Sequence, residues 1–211
     1  MQDIINNWLE KREMFGPGIF LYLGTRRGIE SYLENKFSNL VIGLEALHRA
    51  IGKNQKSDKV REKVDRIMHD VVLPGDKRWL KNVLKAEPSL AERISDLFGT
   101  LPVSIAPEYL TKFADSCARL RNDLSHFGTT REKTSYEQFA HDTNKITRAL
   151  GILYHLKILQ EIGVPDALLT WIFTDGFTSY QIQADLWLAG LLPEDPQILR
   201  QQRRRNDANI S

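Results

Sequence analysis

The sequence predicts an all-α fold, a bundle of long antiparallel helices with shorter helices packed around it. Apolar residues recur at intervals of three and four along most of the 211 residues, and no period-two alternation of useful length appears. Glycine, proline and cap residues cut that periodic pattern into helix-sized pieces.

Ile4, Ile5, Trp8 and Leu9 begin a short first helix that Gly16-Pro17-Gly18 breaks. The apolar run Ile19 to Leu23 is compatible with a strand or an extended arm. A strong helix follows, with Leu33, Phe37, Leu40, Leu44, Leu47 and Ile51 on one stripe and Gly52 as its stop. After a polar loop from Lys53 to Ser57, Ser57 or Asp58 caps a helix carrying Val60, Val64, Ile67, Met68 and Val71, which Pro74-Gly75 ends. Trp79, Leu80, Val83 and Leu84 form a short helix before Pro88. Ser89 caps the next, whose inner residues are Leu90, Ile94, Leu97 and Phe98, and Gly99 closes it.

Pro107 suits the first turn of a central helix, because the N–H it lacks has no partner there. That helix carries Leu110, Phe113, Cys117, Leu120 and Leu124 as one stripe. A polar loop runs from Gly128 to Ser135, and Ser135 with Gln138 offers a capping box. The helix it opens reaches about Gly163; its later half is apolar on most sides and belongs at the bundle centre. Leu168 to Phe173 and Tyr180 to Leu192 fit two further helices. The expected division is a bundle over 1–164, a helical appendage packed on it over 165–199, and a basic, polar tail over 200–211. Arg200 to Arg205 in that tail reads as a frayed end, with an RNA-touching arm as the alternative.

A 42% apolar and 27% charged composition is that of a water-soluble globular chain, and a net charge of +2 does not by itself indicate nucleic acid. The lone Cys117 cannot form an internal disulfide, and its place on the apolar stripe is that of a small buried hydrophobe. No apolar run approaches the ~18 residues a membrane helix needs, and Asp3 and Glu10 do not suit a signal peptide. A cytoplasmic location without membrane contact is expected.

The sequence lacks a phosphate-cradling glycine loop, a His-Glu-x-x-His pair, paired metal-binding cysteines and a Gly-x-Ser-x-Gly elbow. What remains is Arg121-Asn122-Asp123-Leu124-Ser125-His126, ahead of Phe127 and Gly128. At ~100° per residue Asn122 and His126 share the side opposite the apolar stripe and Arg121 lies on its shoulder. An Arg–His pair by itself is weak: Arg148 and His155 make another, in an apolar helix where a structural role is expected. His69 and His141 read as surface residues, and Trp171 and Trp187 as packing or interface residues.

In this context Arg121, Asn122 and His126 resemble the motif of the HEPN superfamily of all-helical domains, whose ribonuclease members carry Arg, a polar residue and then His. Phe37 to Arg49, with Glu45, His48 and Arg49 as Glu-x-x-His-Arg, is similar to the early helix of ApeA-like HEPN domains, and Ile4 to Trp8 to the segment before it. The resemblance spans about Ile4 to Val164. It implies metal-independent RNA endonuclease activity without a cofactor, in a defence or toxin effector. The ribose 2′-hydroxyl would attack the adjacent phosphate to leave a cyclic phosphate.

The residue types suit that reaction. His126 can exchange protons near neutral pH, Arg121 can stabilise charge on the phosphate, and Asn122 can orient the imidazole or donate to phosphate. A helix C-terminus favours a protonated His126. One His per chain is short of an acid and a base, and the resemblance supplies a homodimer whose two motifs share a cleft. Glu45, His48 and Arg49 fall on the shoulder of the early helix and are expected to be structural, with substrate contact or support of the site as the lesser role. ApeA-like proteins commonly carry a domain ahead of this one, so a regulatory N-terminal domain or partner is also expected. The rival reading is a non-catalytic HEPN-type module that dimerises or binds a partner or nucleotide.

Overall fold

The computed structural model describes residues 2–28, 32–52, 58–71, 73–83, 87–125 and 135–198, and no strand occurs among them. Helix α1 covers Gln2–Met14, and α2, Pro17–Arg26, follows after a two-residue turn. The run Ile19 to Leu23 is therefore helical, neither a strand nor an extended arm. Gly16 turns the chain at φ 62°, open to glycine at little cost, and Pro17 then occupies the first helical turn. Ile19 and Tyr22, three residues apart, are buried while Phe20 is exposed, which is helical and not alternating periodicity.

Helix α3, Leu33–Ala50, and α8, Tyr136–Glu161, form the centre. α3 packs against α2, α6 (Leu90–Phe98) and α8, and touches α7 (Pro107–Ser125). The expected stripe of α3 is the buried one: Phe37, Leu40, Leu44 and Leu47 meet Ile94 and Leu97 of α6, Phe113 and Cys117 of α7, and Leu150 and Leu153 of α8 in one core. Gly18 of α2 and Gly43 of α3 let those two backbones touch. A Cβ on Gly18 would lie 2.8 Å from the Gly43 carbonyl oxygen and from the Ala46 Cβ.

The caps fall differently from the expected pattern. The complete capping box is at Ser89, whose Oγ accepts from the Glu92 N–H while the Glu92 carboxylate accepts from the Ser89 N–H. Ser135 accepts from the Gln138 N–H, but the Gln138 amide donates onward to Asp142 at 2.8 Å, so half a box forms there.

Pro74-Gly75 does not close α4. That helix, Asp58–Asp70, has already ended, and Pro74 begins α5, Pro74–Val83. A proline without N–H is tolerated equally well just after one helix and in the first turn of the next. The loop Lys53 to Ser57 and the tail from 200 lie outside the described residues.

α9 (Asp166–Thr174) and α10 (Ser179–Leu188) pack on α8 and bury Leu169, Phe173 and Leu186 in the common core. Arg148 of α8 holds Asp185 of α10 at 2.9 Å. At the far end of α8, Asn7 of α1 donates to the Ile162 carbonyl at 3.0 Å, and Lys11 reaches the Glu161 carbonyl.

Candidate functional site

The apolar stripe of α7 does what its spacing predicts. Leu110, Phe113, Cys117 and Leu120 are buried and Leu124 is partly buried against the core. Burial raises the Cys117 thiol far above its ordinary value, so it stays a neutral packing group. Since the stripe faces inward, Arg121, Asn122 and Asp123 are turned out and exposed in the last turns of the helix. Ser125 Oγ donates to the Arg121 carbonyl at 2.8 Å and satisfies one of the carbonyls left over at the helix end. Among the described residues no side chain bonds to the Arg121 guanidinium or the Asn122 amide. His126, the third residue of the motif, lies outside the described residues.

The early-helix residues take other positions. His48 is fully buried, not on the shoulder of α3, because α6 covers it. Arg93 of α6, only 2% exposed, donates from Nη1 to His48 Nδ1 at 3.2 Å, from Nε to the Pro88 carbonyl at 3.0 Å, and from Nη2 to Glu87 at 3.0 Å. A guanidinium only donates, so His48 Nδ1 accepts, and Nε2–H is left to donate to Asp96 at 3.2 Å. Arg49 is half exposed and reaches Glu87 at 3.5 Å, while Glu45 is partly buried. His48 is thus a packed, bonded core histidine.

Arg93 and Asp96 were not legible as its partners, nor Glu87 as the partner of Arg93. The one signal is an Arg on the inward side of α6, among Leu90, Ile94 and Leu97. Charge in that position needs a buried partner.

Both groups of residues lie toward one end of the bundle. Gly99 faces Leu110 where α6 and α7 join. Stepping away from that contact along both helices, at ~1.5 Å per residue, brings the start of α6 level with Arg121. No hydrogen bond or ion pair among the described residues links Arg121 or Asn122 to His48, Arg49 or Arg93.

The second Arg–His pair is split. Arg148 serves Asp185, and His155 Nδ1 accepts a short hydrogen bond from the Tyr22 hydroxyl. Burial, helped by Arg26, lowers His155 to a pKa of about 4, and burial raises Tyr22 to about 12, so the pair stays neutral at pH 7. The unfolded chain protonates this imidazole near the ordinary ~6.5, well above the folded value. Its contribution to stability is therefore complete above about pH 6.5 and lost as pH falls toward about 4, at most about 3 kcal/mol. Urea unfolding at pH 7 and pH 4.5 should show a smaller acid loss in His155→Gln, which keeps an acceptor for Tyr22, than in wild type. An equal loss would assign the acid sensitivity elsewhere.

His141 and His69 are exposed, with His69 beside Asp70 at 3.4 Å. Trp171 is 47% exposed and Trp187 partly buried.

A model of the Apea-like HEPN family matches residues 38–168, from α3 into the start of α9. Comparisons with curated proteins and with solved structures found no match. HEPN domains are all-α, as this chain is throughout its described residues, and the family carries nuclease or RNA-related roles. No helix of the described residues is long and apolar enough to cross a membrane. With more than half of its length covered by that match, the chain belongs to the Apea-like HEPN family.

Proposed function

We propose that the protein is a metal-independent RNA endonuclease in which Arg121, Asn122 and His126 act on the scissile phosphate, in a defence or toxin setting. The observation that carries this reading is the outward display of Arg121 and Asn122 at the end of α7. They are exposed, without a bonding partner among the described residues, and followed in sequence by His126. A buried, paired Arg could not meet a phosphate; this one can. In this reading the Arg121 fork holds two phosphate oxygens as negative charge grows on phosphorus, and Asn122 donates to the same group or to the imidazole. His126 moves the proton: as base it takes it from the 2′-hydroxyl, as acid it gives one to the leaving 5′-oxygen. The 2′-oxygen–phosphorus bond forms, the phosphorus–5′-oxygen bond breaks, and the products are a 2′,3′-cyclic phosphate and a 5′-hydroxyl.

One chain offers a single His126 for two proton transfers, so two chains share the site, each supplying one motif.

Purified protein incubated with RNA in EDTA should give fragments with cyclic phosphate ends, and His126→Ala of native helicity should give none. Absence of cleavage in wild type, or equal cleavage by the variant, would leave the non-catalytic binding module as the reading to keep.

A further inference from the structure

Among the described residues, helices α4 and α5 pack on each other, and neither has a helix-to-helix contact with the body as extensive as α2, α6 or α8 has with α3. Both are amphipathic, and part of their apolar side is open: Trp79 of α5 is 64% exposed, Ile67 of α4 37% and Leu73 of the turn between them 63%, while Val64, Met68 and Leu80 are partly buried. Val71 and Leu73 of the turn and Asp76, Trp79 and Leu80 of α5 line a shallow groove.

Charge says what that surface fits. Residues 53–86 contain ten Lys and Arg against five Asp and Glu, a net of +5; the whole chain is +2, so the remainder is −3. The excess positive charge lies on this segment and on residues 200–207, where four Arg against one Asp give a net of +3, so the rest of the chain is −6. Lys63 and Arg66 of α4 and Lys77 and Arg78 of α5 are exposed and form no ion pair among the described residues. Arg49 and Arg93, at the root of the hairpin, are by contrast both committed to Glu87. A core helix has its apolar side covered and its cations balanced; this pair leaves Ile67 and Trp79 open and Lys63, Arg66, Lys77 and Arg78 without an ion pair among the described residues. Free cations around an exposed indole are what a single-stranded nucleic acid uses, with phosphates on the cations and a base on the ring.

The root fixes where the arm starts. Arg49 and Arg93 both bond Glu87, which joins the end of α3 to the start of α6 on either side of the hairpin. The start of α6 is level with Arg121, so the arm leaves the body at the end that carries the candidate site.

We propose that the α4–α5 hairpin is a binding arm for single-stranded RNA that delivers the strand to the Arg121 end of the bundle. This rests on RNA being the substrate of that site. A base lies in the groove against Trp79. Asp76, on the same wall, repels phosphate and accepts a base N–H, so it is the base that enters. The phosphates run along Lys63, Arg66, Lys77 and Arg78.

The test separates binding from cutting. In the His126→Ala background, full-length protein is titrated against a fluorescent single-stranded RNA in EDTA at several salt concentrations, with Lys77→Glu/Arg78→Glu or Trp79→Ala added. Charge reversal should weaken binding at least about ten-fold and flatten the salt dependence by roughly 0.7 of a log unit per lost phosphate contact. Trp79→Ala should weaken it about ten-fold with the salt slope unchanged. Binding equal to the parent in both variants, or no RNA binding by the parent, overturns the proposal. So does a Trp79→Ala protein that binds RNA normally but sediments as a smaller species, which would give the surface to a second copy. RNA held through the hairpin yet never cut by wild type would end the nuclease reading and leave the arm. RNA cut equally by wild type and hairpin variants would do the opposite.

Discussion

Gly18→Ala should lower stability by roughly 3 kcal/mol, while Gly24→Ala six residues along the same helix should raise it by about 0.5–1 kcal/mol. The two substitutions add the same methyl group to α2 and differ only in what it meets. At Gly18 the new Cβ would lie 2.8 Å from the Gly43 carbonyl oxygen and 3.1 Å from the Gly43 Cα, both backbone atoms of α3 that no rotamer change can move away. The same crossing is closed from the other side, where a Cβ on Gly43 would lie 2.9 Å from the Gly18 carbonyl oxygen and 3.1 Å from the Tyr154 ring.

Relief requires α2 to back off α3. That would open contacts around Ile19 and Tyr22 and loosen the hydrogen bond from Tyr22 to His155. Gly24 has nothing within 4 Å of the added atom, so only the helix-forming gain of alanine remains. For a chain of this size the first change corresponds to a Tm about 10 °C lower. Thermal melts followed by circular dichroism would measure it, and a Gly18→Ala protein as stable as wild type would show that α2 and α3 do not cross so closely.

This crossing marks a limit on what the sequence reveals. The stripes of α3, α6, α7 and α8 were legible because each helix repeats its apolar residues every three or four positions, and burial of one face is all that pattern encodes. The Gly16-Pro17-Gly18 segment was not, because glycine breaks one helix and permits a close approach to another with the same letter. His48 looked like a shoulder residue until Arg93, 45 positions later, was placed against it. Buried polar contacts of this kind are formed by tertiary packing, and helix periodicity carries no information on the partner. Lys157 is similar: its place in the apolar half of α8 is workable only because Thr100, Gln160 and Glu161 surround its ammonium group at 2.8–2.9 Å. For α4 and α5 the reverse holds, since their amphipathic patterns were plain but a pattern does not say whether anything covers the face it defines.

The candidate site divides along the same line. The outward orientation of Arg121 and Asn122 followed from the inward stripe of α7, a local inference, and the described structure agrees with it. What the two residues would meet across a subunit boundary is a matter of tertiary and quaternary placement. In the proposed nuclease that placement decides everything, because the exposed guanidinium has no function until a second motif closes on the same phosphate.

Arg121→Ala is therefore expected to do more than disable its own chain. Removing a charged donor from a developing oxyanion costs about 10²–10³ in rate. In a site built from two chains the loss falls on every dimer that contains one altered subunit. If equal amounts of wild-type and Arg121→Ala chains are unfolded together and refolded to pair at random, about a quarter of the dimers carry two intact motifs. Activity at constant total protein should then drop to about a quarter of wild type, against about half if each chain worked alone. The substitution is at an exposed position with no described side-chain bond, so folding and pairing should be unaffected, as matching melts and sedimentation would verify. Mixing without unfolding supplies the control: subunits that have not exchanged leave activity at half in either case. A value of half after verified exchange would refute the shared site and place both proton transfers within one chain, where His126 would have to serve in turn as base and acid.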